Sequence, residues 1–190
     1  MLPGERLIAQ AVGGEDPGLA REAADLAATL LVRGARDSDD PVIAERVLHL
    51  ADSEGIEAIA EVWSGAPADS LAGCLWRLYL LRGWVYADPL GVAREFDAGR
   101  ADAPVAHLVA GVADPPGPEE LKAMVDEVLR GIASSDFADV LFRAAAFARV
   151  VAHGRSVLRE YPTSEQAARV LQLAEQLEAA GHAELEHRLA

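Results

Sequence analysis

Apolar residues recur every three or four positions along most of the chain, and no segment keeps the strict alternation of a half-buried strand. That period places apolar side chains on one face of a helix, so the sequence predicts an all-α fold. Residues 70–85, SLAGCLWRLYLLRGWV, are apolar nearly all round the helical wheel, which is typical of a buried helix. We therefore expect Leu75, Trp76 and Leu78 to lie in the core.

Three breaks in this pattern share one motif, in which Arg-Gly is followed by four residues and then Asp. Glycine often ends a helix, because the residue after the last turn favours a left-handed conformation, and Asp caps the free N–H groups of the next helix. The three motifs lie 49 and 48 residues apart, and Pro17, Pro67, Pro116 and Pro162 precede helical runs at nearly the same period. The motif predicts that helices end at Gly34, Gly83 and Gly131 and begin at Asp39 or Asp40, Asp88 and Asp136.

Shorter helices are predicted between the long ones, so that each unit holds about three helices in about 48 residues. We predict one helical domain over residues 1–190, with a partial unit at 1–34 and full units at 35–83, 84–131 and 132–181. The shorter helices are expected near residues 41–53, 56–64, 89–99, 103–112, 137–153 and 155–160.

The period and the three-helix unit resemble the HEAT and armadillo α-solenoids, whose repeats span roughly 40–47 residues. The resemblance is architectural, covers residues 17–181 and carries no family signature. It implies stacked units with an extended surface for a partner protein. An irregular helical bundle is the alternative architecture. The chain, with sixteen Arg and one Lys, also resembles uncharacterised proteins of high-GC bacteria, which supplies no functional residues.

The overall charge narrows the range of partners. A net charge of −14 and a pI near 4.7 argue against binding to nucleic acid or to an anionic membrane surface. The 51% hydrophobic content argues against a disordered chain. The N-terminus lacks the pattern of a signal peptide, and residues 70–85 are interrupted by charge, so we expect a cytoplasmic protein without a membrane span.

Candidate catalytic and metal-ligating residues are few. Cys74 is the only cysteine and lies in an apolar run, which favours a buried, unreactive thiol. Glu184 and His187 form a Glu-x-x-His pair, but a di-iron bundle needs a second such pair, which the sequence lacks. Arg149 and His153 are one residue short of the Arg-x4–6-His spacing of HEPN nucleases. We therefore expect no catalytic residue, metal or cofactor.

The first functional hypothesis is a non-enzymatic module that binds a protein or peptide partner. Aromatic residues and arginine dominate the energetics of interfaces, and aromatic residues are only 5% of this chain. The residues that we expect at the partner surface are Trp63, Arg82, Trp84 and Tyr86. An equal alternative for Trp84 and Tyr86 is that they pack the junction between two units.

The second hypothesis is a protein or enzyme that holds a small molecule in a pocket between helices. Trp76, Arg77 and Tyr79 would line that pocket, with the arginine binding an acidic ligand. An enclosed pocket with two or more titratable groups would favour an enzyme. An open groove lined by aromatic residues would favour the interaction module.

Overall fold

All regular structure in the described part of the chain is helical, which confirms the predicted all-α class. The computed structural model describes residues 17–36, 62–100, 117–134, 136–158 and 163–189. The helices within these ranges are α1 (Pro17–Arg36), α2 (Leu71–Ala87), α3 (Pro89–Arg100), α4 (Pro118–Ser134), α5 (Phe137–Leu158) and α6 (Thr163–Leu185). The helices expected at 41–53 and 103–112, most of the one at 56–64, and the caps at Asp39 or Asp40 lie outside the described residues.

Polar side chains cap the N-termini of three of these helices. The Ser70 hydroxyl accepts a hydrogen bond from the Gly73 N–H at the start of α2. The Asp88 carboxylate accepts from the Gly91 N–H at the start of α3, and Asp136 accepts from the N–H of Ala138 at the start of α5. Each side chain satisfies an N–H group that has no partner within its own helix. The predicted caps at Asp88 and Asp136 are confirmed.

The predicted helix ends at glycine are wrong. Helix α1 continues through Gly34, α2 through Gly83 and α4 through Gly131. A glycine inside a helix costs only about 1 kcal/mol relative to alanine, so packing beyond it decides whether the helix stops. Val85 and Ile132, which follow two of these glycines, are buried in the core, so continuing the helix adds apolar contacts.

The last predicted unit also differs from the expected arrangement. The two helices expected at 137–153 and 155–160 are one helix, α5, which passes through Gly154. Residues 132–181 therefore hold the end of α4 and two long helices in the described part, instead of three separate helices. Both other full units contain segments outside the described residues, so the 48-residue repeat and the solenoid resemblance stay predictions.

Helix α5 is the centre of the described core. Thirteen of its 22 residues are buried, and they lie on all sides of the helix. It packs most extensively against α6 and α3, and also against α4 and α2, while α1 packs against α2 and α4. Alanine supplies much of its surface, which lets neighbouring helices approach on several sides. The Phe96 and Phe147 rings stack with their centroids 5.5 Å apart across the α3–α5 contact.

The backbones of α3 and α5 come into direct contact at Gly99 and Gly154. A Cβ atom on Gly154 would lie 1.7 Å from the carbonyl oxygen of Glu95, and one on Gly99 would lie 1.9 Å from that of Val150. Real Cβ atoms do not approach backbone atoms so closely. Glycine is therefore required at both positions by the helix crossing.

Arginine–carboxylate ion pairs join helices around this core, and one of them links Arg149 of α5 to Glu178 of α6. Arg155 of α5 donates two hydrogen bonds to the Glu95 carboxylate of α3, at 2.6 and 2.8 Å. Arg82 of α2 donates to Asp126 of α4 at 2.7 Å. Arg33 of α1 donates to both carboxylate oxygens of buried Glu184 on α6, and this hydrogen bonding raises the pKa of the arginine. None of the helices in the described ranges has the length and apolar character needed to cross a membrane.

Gly154→Ala is expected to destabilise the fold by about 2 kcal/mol or more, because the methyl group would force α3 and α5 apart. At an ordinary position inside a helix, Gly→Ala raises the free energy of unfolding by about 1 kcal/mol. The sign of the change therefore shows whether the two helices are in direct contact. Urea unfolding followed by far-UV circular dichroism measures it. Gly65→Ala, in the turn after Trp63, is the control without a steric clash, since a Cβ there meets nothing within 4 Å. Equal stability of the Gly154 variant and the wild-type chain would contradict the close crossing.

Candidate functional site

Two of the predicted site residues, Trp63 and Tyr79, lie in the core. Trp63 is 5% exposed, and its indole N–H donates to the carbonyl oxygen of Ala24 on α1 at 3.1 Å. Tyr79 is fully buried and stacks on Trp63 with ring centroids 6.2 Å apart. Burial raises the pKa of the Tyr79 hydroxyl. The structure therefore removes Trp63 from the predicted partner surface and Tyr79 from the predicted pocket.

Arg82 and Tyr86 form a compact cluster with Asp126. The Arg82 guanidinium is largely buried and lies 4.1 Å from the centroid of the Tyr86 ring. Both side chains donate to the Asp126 carboxylate, at 2.7 Å each. Lys122 lies 5.6 Å from the same ring, so two cations flank it. Tyr86 is 38% exposed, but its hydroxyl donates to Asp126, so the cluster joins α2 to α4.

Trp84 is half-buried at the junction of α2, α3 and α5. Its ring packs against the edge of the core, and the Arg155 guanidinium lies 4.9 Å from the ring centroid. The same guanidinium pairs with Glu95, so the indole lies beside an ion pair that is itself mostly buried. A cation over an indole face gains electrostatic energy, and more so where water is excluded. This geometry supports the alternative in which Trp84 packs a junction within the fold over the one in which it binds a partner at the surface.

Trp76 and Arg77, by contrast, line the same open depression between α2 and α6. We call it the α2–α6 groove. It has a volume of about 180 Å³, below the roughly 300–1,000 Å³ of typical small-molecule pockets. Trp76, expected in the core, is instead half-buried here, whereas Leu75 and Leu78 are buried as predicted. The residues that line the groove are Trp76, Arg77, Leu80, Arg169, Gln172, Leu173 and Gln176.

The Arg77 guanidinium forms the polar side of the α2–α6 groove. It donates to the carbonyl oxygen of Gly73 at 2.8 Å and to the side-chain oxygen of Gln176 at 2.7 Å. Desolvation by burial lowers the pKa of Arg77. The arginine is thus held across the two helices by neutral acceptors.

Sequence reasoning missed the α6 half of this groove. Arg169, Gln172, Leu173 and Gln176 recur at helical spacing and therefore share one face of α6. The sequence could have revealed that shared face. It could not reveal that the face lies opposite Trp76, because the residues of α2 and α6 are almost a hundred positions apart.

A second depression lies between α5 and α6 on another side of the molecule. Its volume is about 280 Å³, and three of its seven lining residues are alanine. The Ser156 hydroxyl donates to the backbone carbonyl oxygen of His153 at 2.6 Å, so this pair is not arranged as a nucleophile and its base. Arg149, which also lines it, pairs with Glu178. The contacts described for its lining residues form no recognisable catalytic arrangement.

The remaining candidate residues have structural positions. Cys74 is fully buried, and its Sγ lies 3.6 Å from the carbonyl oxygen of Ala68. Burial raises the pKa of the Cys74 thiol to about 12. Glu184 is occupied by Arg33, while His187 is exposed in a turn. Within the described ranges, no group of three or more His, Cys, Asp or Glu could hold a metal ion.

Trp84→Ala is expected to lower the free energy of unfolding by about 2 kcal/mol, roughly half the effect of removing a fully buried tryptophan. Urea unfolding gives the value. Leu90→Ala is the control, because Leu90 lies on the neighbouring helix with 62% of its surface exposed, and a change within about 0.5 kcal/mol is expected there. A similarly small change for Trp84→Ala would restore the tryptophan as a candidate surface anchor.

Cys74 is expected to resist iodoacetamide in the folded protein at neutral pH and to react once the chain is unfolded in urea. Mass spectrometry of the alkylated protein measures this. Between the ordinary thiol pKa of 9.0 and about 12, the unfolded chain releases the thiol proton while the folded chain keeps it. Stability should therefore fall as the pH rises through that range, and less steeply in Cys74→Ala. Rapid alkylation of the folded protein would contradict the burial of this thiol.

Comparison with known proteins assigns neither a family nor a function to these residues. No family model matches the chain, and no curated protein or solved structure is significantly similar to it. The geometry of the α2–α6 groove therefore provides the basis for a functional proposal.

Proposed function

We propose that this protein is a non-enzymatic helical interaction module that binds a segment of a partner protein in the α2–α6 groove. The observation that carries the proposal is the half-buried Trp76 indole at an open groove between two helices. Leu80, which is 40% exposed, and Leu173 extend the apolar surface beside it. Apolar and aromatic side chains of this kind anchor peptides in grooves between helices.

The chemistry of the groove supports binding over catalysis. Its charged groups are two arginines, and its other polar groups are two glutamine side chains. A guanidinium stays protonated at physiological pH, and an amide does not titrate, so the lining offers no general base. The small volume and open shape suit one or two side chains of a larger partner better than an enclosed small molecule.

The proposal shifts the predicted contact surface along α2. Arg82, Trp84 and Tyr86 make their main contacts within the fold, whereas Trp76 and Leu80 face the groove. The partner is proposed to be a protein because a chain with a net charge of −14 would repel nucleic acid.

Gln172→Trp tests the groove by filling it. Gln172 is exposed, so the added indole should block the groove while leaving the fold intact. We expect peptides selected from a random phage-displayed library on the wild-type protein to lose binding to this variant by roughly tenfold or more. Fluorescence polarisation with synthetic peptides measures the affinity, and far-UV circular dichroism checks the fold.

Gln166→Trp is the matched control for this test. It makes the same substitution at an exposed position on the same helix, outside the residues that line the groove. Peptide affinity should be unchanged in this variant. Failure to select any peptide, or equal binding to the Gln172→Trp variant, would contradict the proposed function.

A further inference from the structure

Arg77 differs from the other arginines that bridge helices in the described part of the chain. Four such arginines pair with carboxylates: Arg33 with Glu184, Arg82 with Asp126, Arg149 with Glu178, and Arg155 with Glu95. Arg77 bridges α2 and α6, but its acceptors among the described residues are the Gly73 carbonyl and the Gln176 amide oxygen. Among the described residues, no carboxylate forms an ion pair with it.

This arrangement is unusual for a protein with 31 acidic residues. A partly desolvated cation normally has a carboxylate partner, because hydrogen bonds to neutral acceptors compensate less of the hydration free energy that is lost on burial. Burial accordingly lowers the pKa of Arg77, whereas the carboxylate bound to Arg33 raises that of Arg33. The α2–α6 groove therefore has a positive floor that the described fold leaves without a directly paired carboxylate.

Arg169 adds a second cation at the rim of the groove. Its side chain is 73% exposed and pairs with Glu165, one turn earlier on α6, at 2.6 Å. Exposed pairs of this type stabilise a protein by only a few tenths of a kcal/mol. Arg169 can thus turn to an incoming carboxylate at little cost, while Trp76 and Leu173 remain available to an adjacent apolar side chain.

We infer that the α2–α6 groove selects a partner peptide in which a carboxylate side chain binds Arg77 and Arg169 while a neighbouring apolar side chain packs on Trp76. This inference rests on the proposed function and adds the chemistry of the partner. One or two carboxylates fit it better than a long acidic tract, because the net charge of −14 repels a highly negative chain.

The test uses the peptides selected on the full-length protein from the random library, together with synthetic versions in which Glu or Asp becomes Gln or Asn. The selected peptides should contain an acidic residue beside a large apolar one. Replacing the acid by its amide should weaken binding by roughly tenfold, as expected for loss of a charge-assisted hydrogen bond.

The variants Arg77→Gln and Arg169→Gln test whether these two guanidinium groups bind the peptide carboxylate. Each variant should lower the affinity for the acidic peptide severalfold. The affinity for the amide peptide should hardly change, because that peptide has no carboxylate for the arginines to bind. Arg169 is exposed, so its variant keeps the test valid if Arg77→Gln fails to fold. Arg94→Gln, which makes the same charge change at an exposed site on α3, should bind the acidic peptide like the wild type.

The possible outcomes separate this inference from the proposed function. Peptides without an acidic residue, bound with an affinity that depends on Gln172→Trp but not on either arginine, would overturn the inference and leave the interaction groove standing. If no selected peptide is sensitive to Gln172→Trp, both the groove and its acidic partner are overturned. An acid preference lost in both arginine variants and kept in Arg94→Gln supports the inference.

Discussion

The direct backbone contact between α3 and α5 is the constraint on which the described fold depends most. Gly99 and Gly154 let the two helices approach until the backbone of each occupies the space of the other's absent side chain. That approach brings the Phe96 and Phe147 rings together and places Glu95 within reach of Arg155. An alanine at either glycine would separate the helices and weaken all of these contacts together.

The buried α5 helix then positions the groove at which we propose that a partner binds. Helices α2 and α6 both pack against α5, and Arg77 joins them through Gln176. Other polar links fix the outer helices: Arg82 holds α2 to α4, and Arg33 holds α1 to the end of α6. Because the groove walls are helices anchored in this way, the Trp76 indole and the hydrogen-bonded Arg77 guanidinium are held in place before a partner binds, which lowers the entropic cost of binding one.

The candidate site was predictable only in part. Trp76 and Arg77 stood out in the sequence as a possible pocket, and the structure places both in one groove. Tyr79, three residues after Trp76, is instead turned into the core against Trp63. A helix that is apolar nearly all round does not reveal which of its faces meets solvent, since that depends on where α1 and α6 pack. The α6 residues of the groove were missed for the same reason.

The helical class and two helix starts follow from local features of the amino-acid sequence. The period of apolar residues is a local property, and Asp88 and Asp136 cap helices through hydrogen bonds to N–H groups only two or three residues away. Where the helices end and which polar groups meet depend instead on long-range packing. Helix α2 passes Gly83 because Val85 is buried by residues distant in sequence. Among the described residues, Arg77 pairs with the Gln176 amide of α6 and with no carboxylate. Contacts of that kind depend on how close the helices can pack, which at α3 and α5 is set by two glycines 55 residues apart.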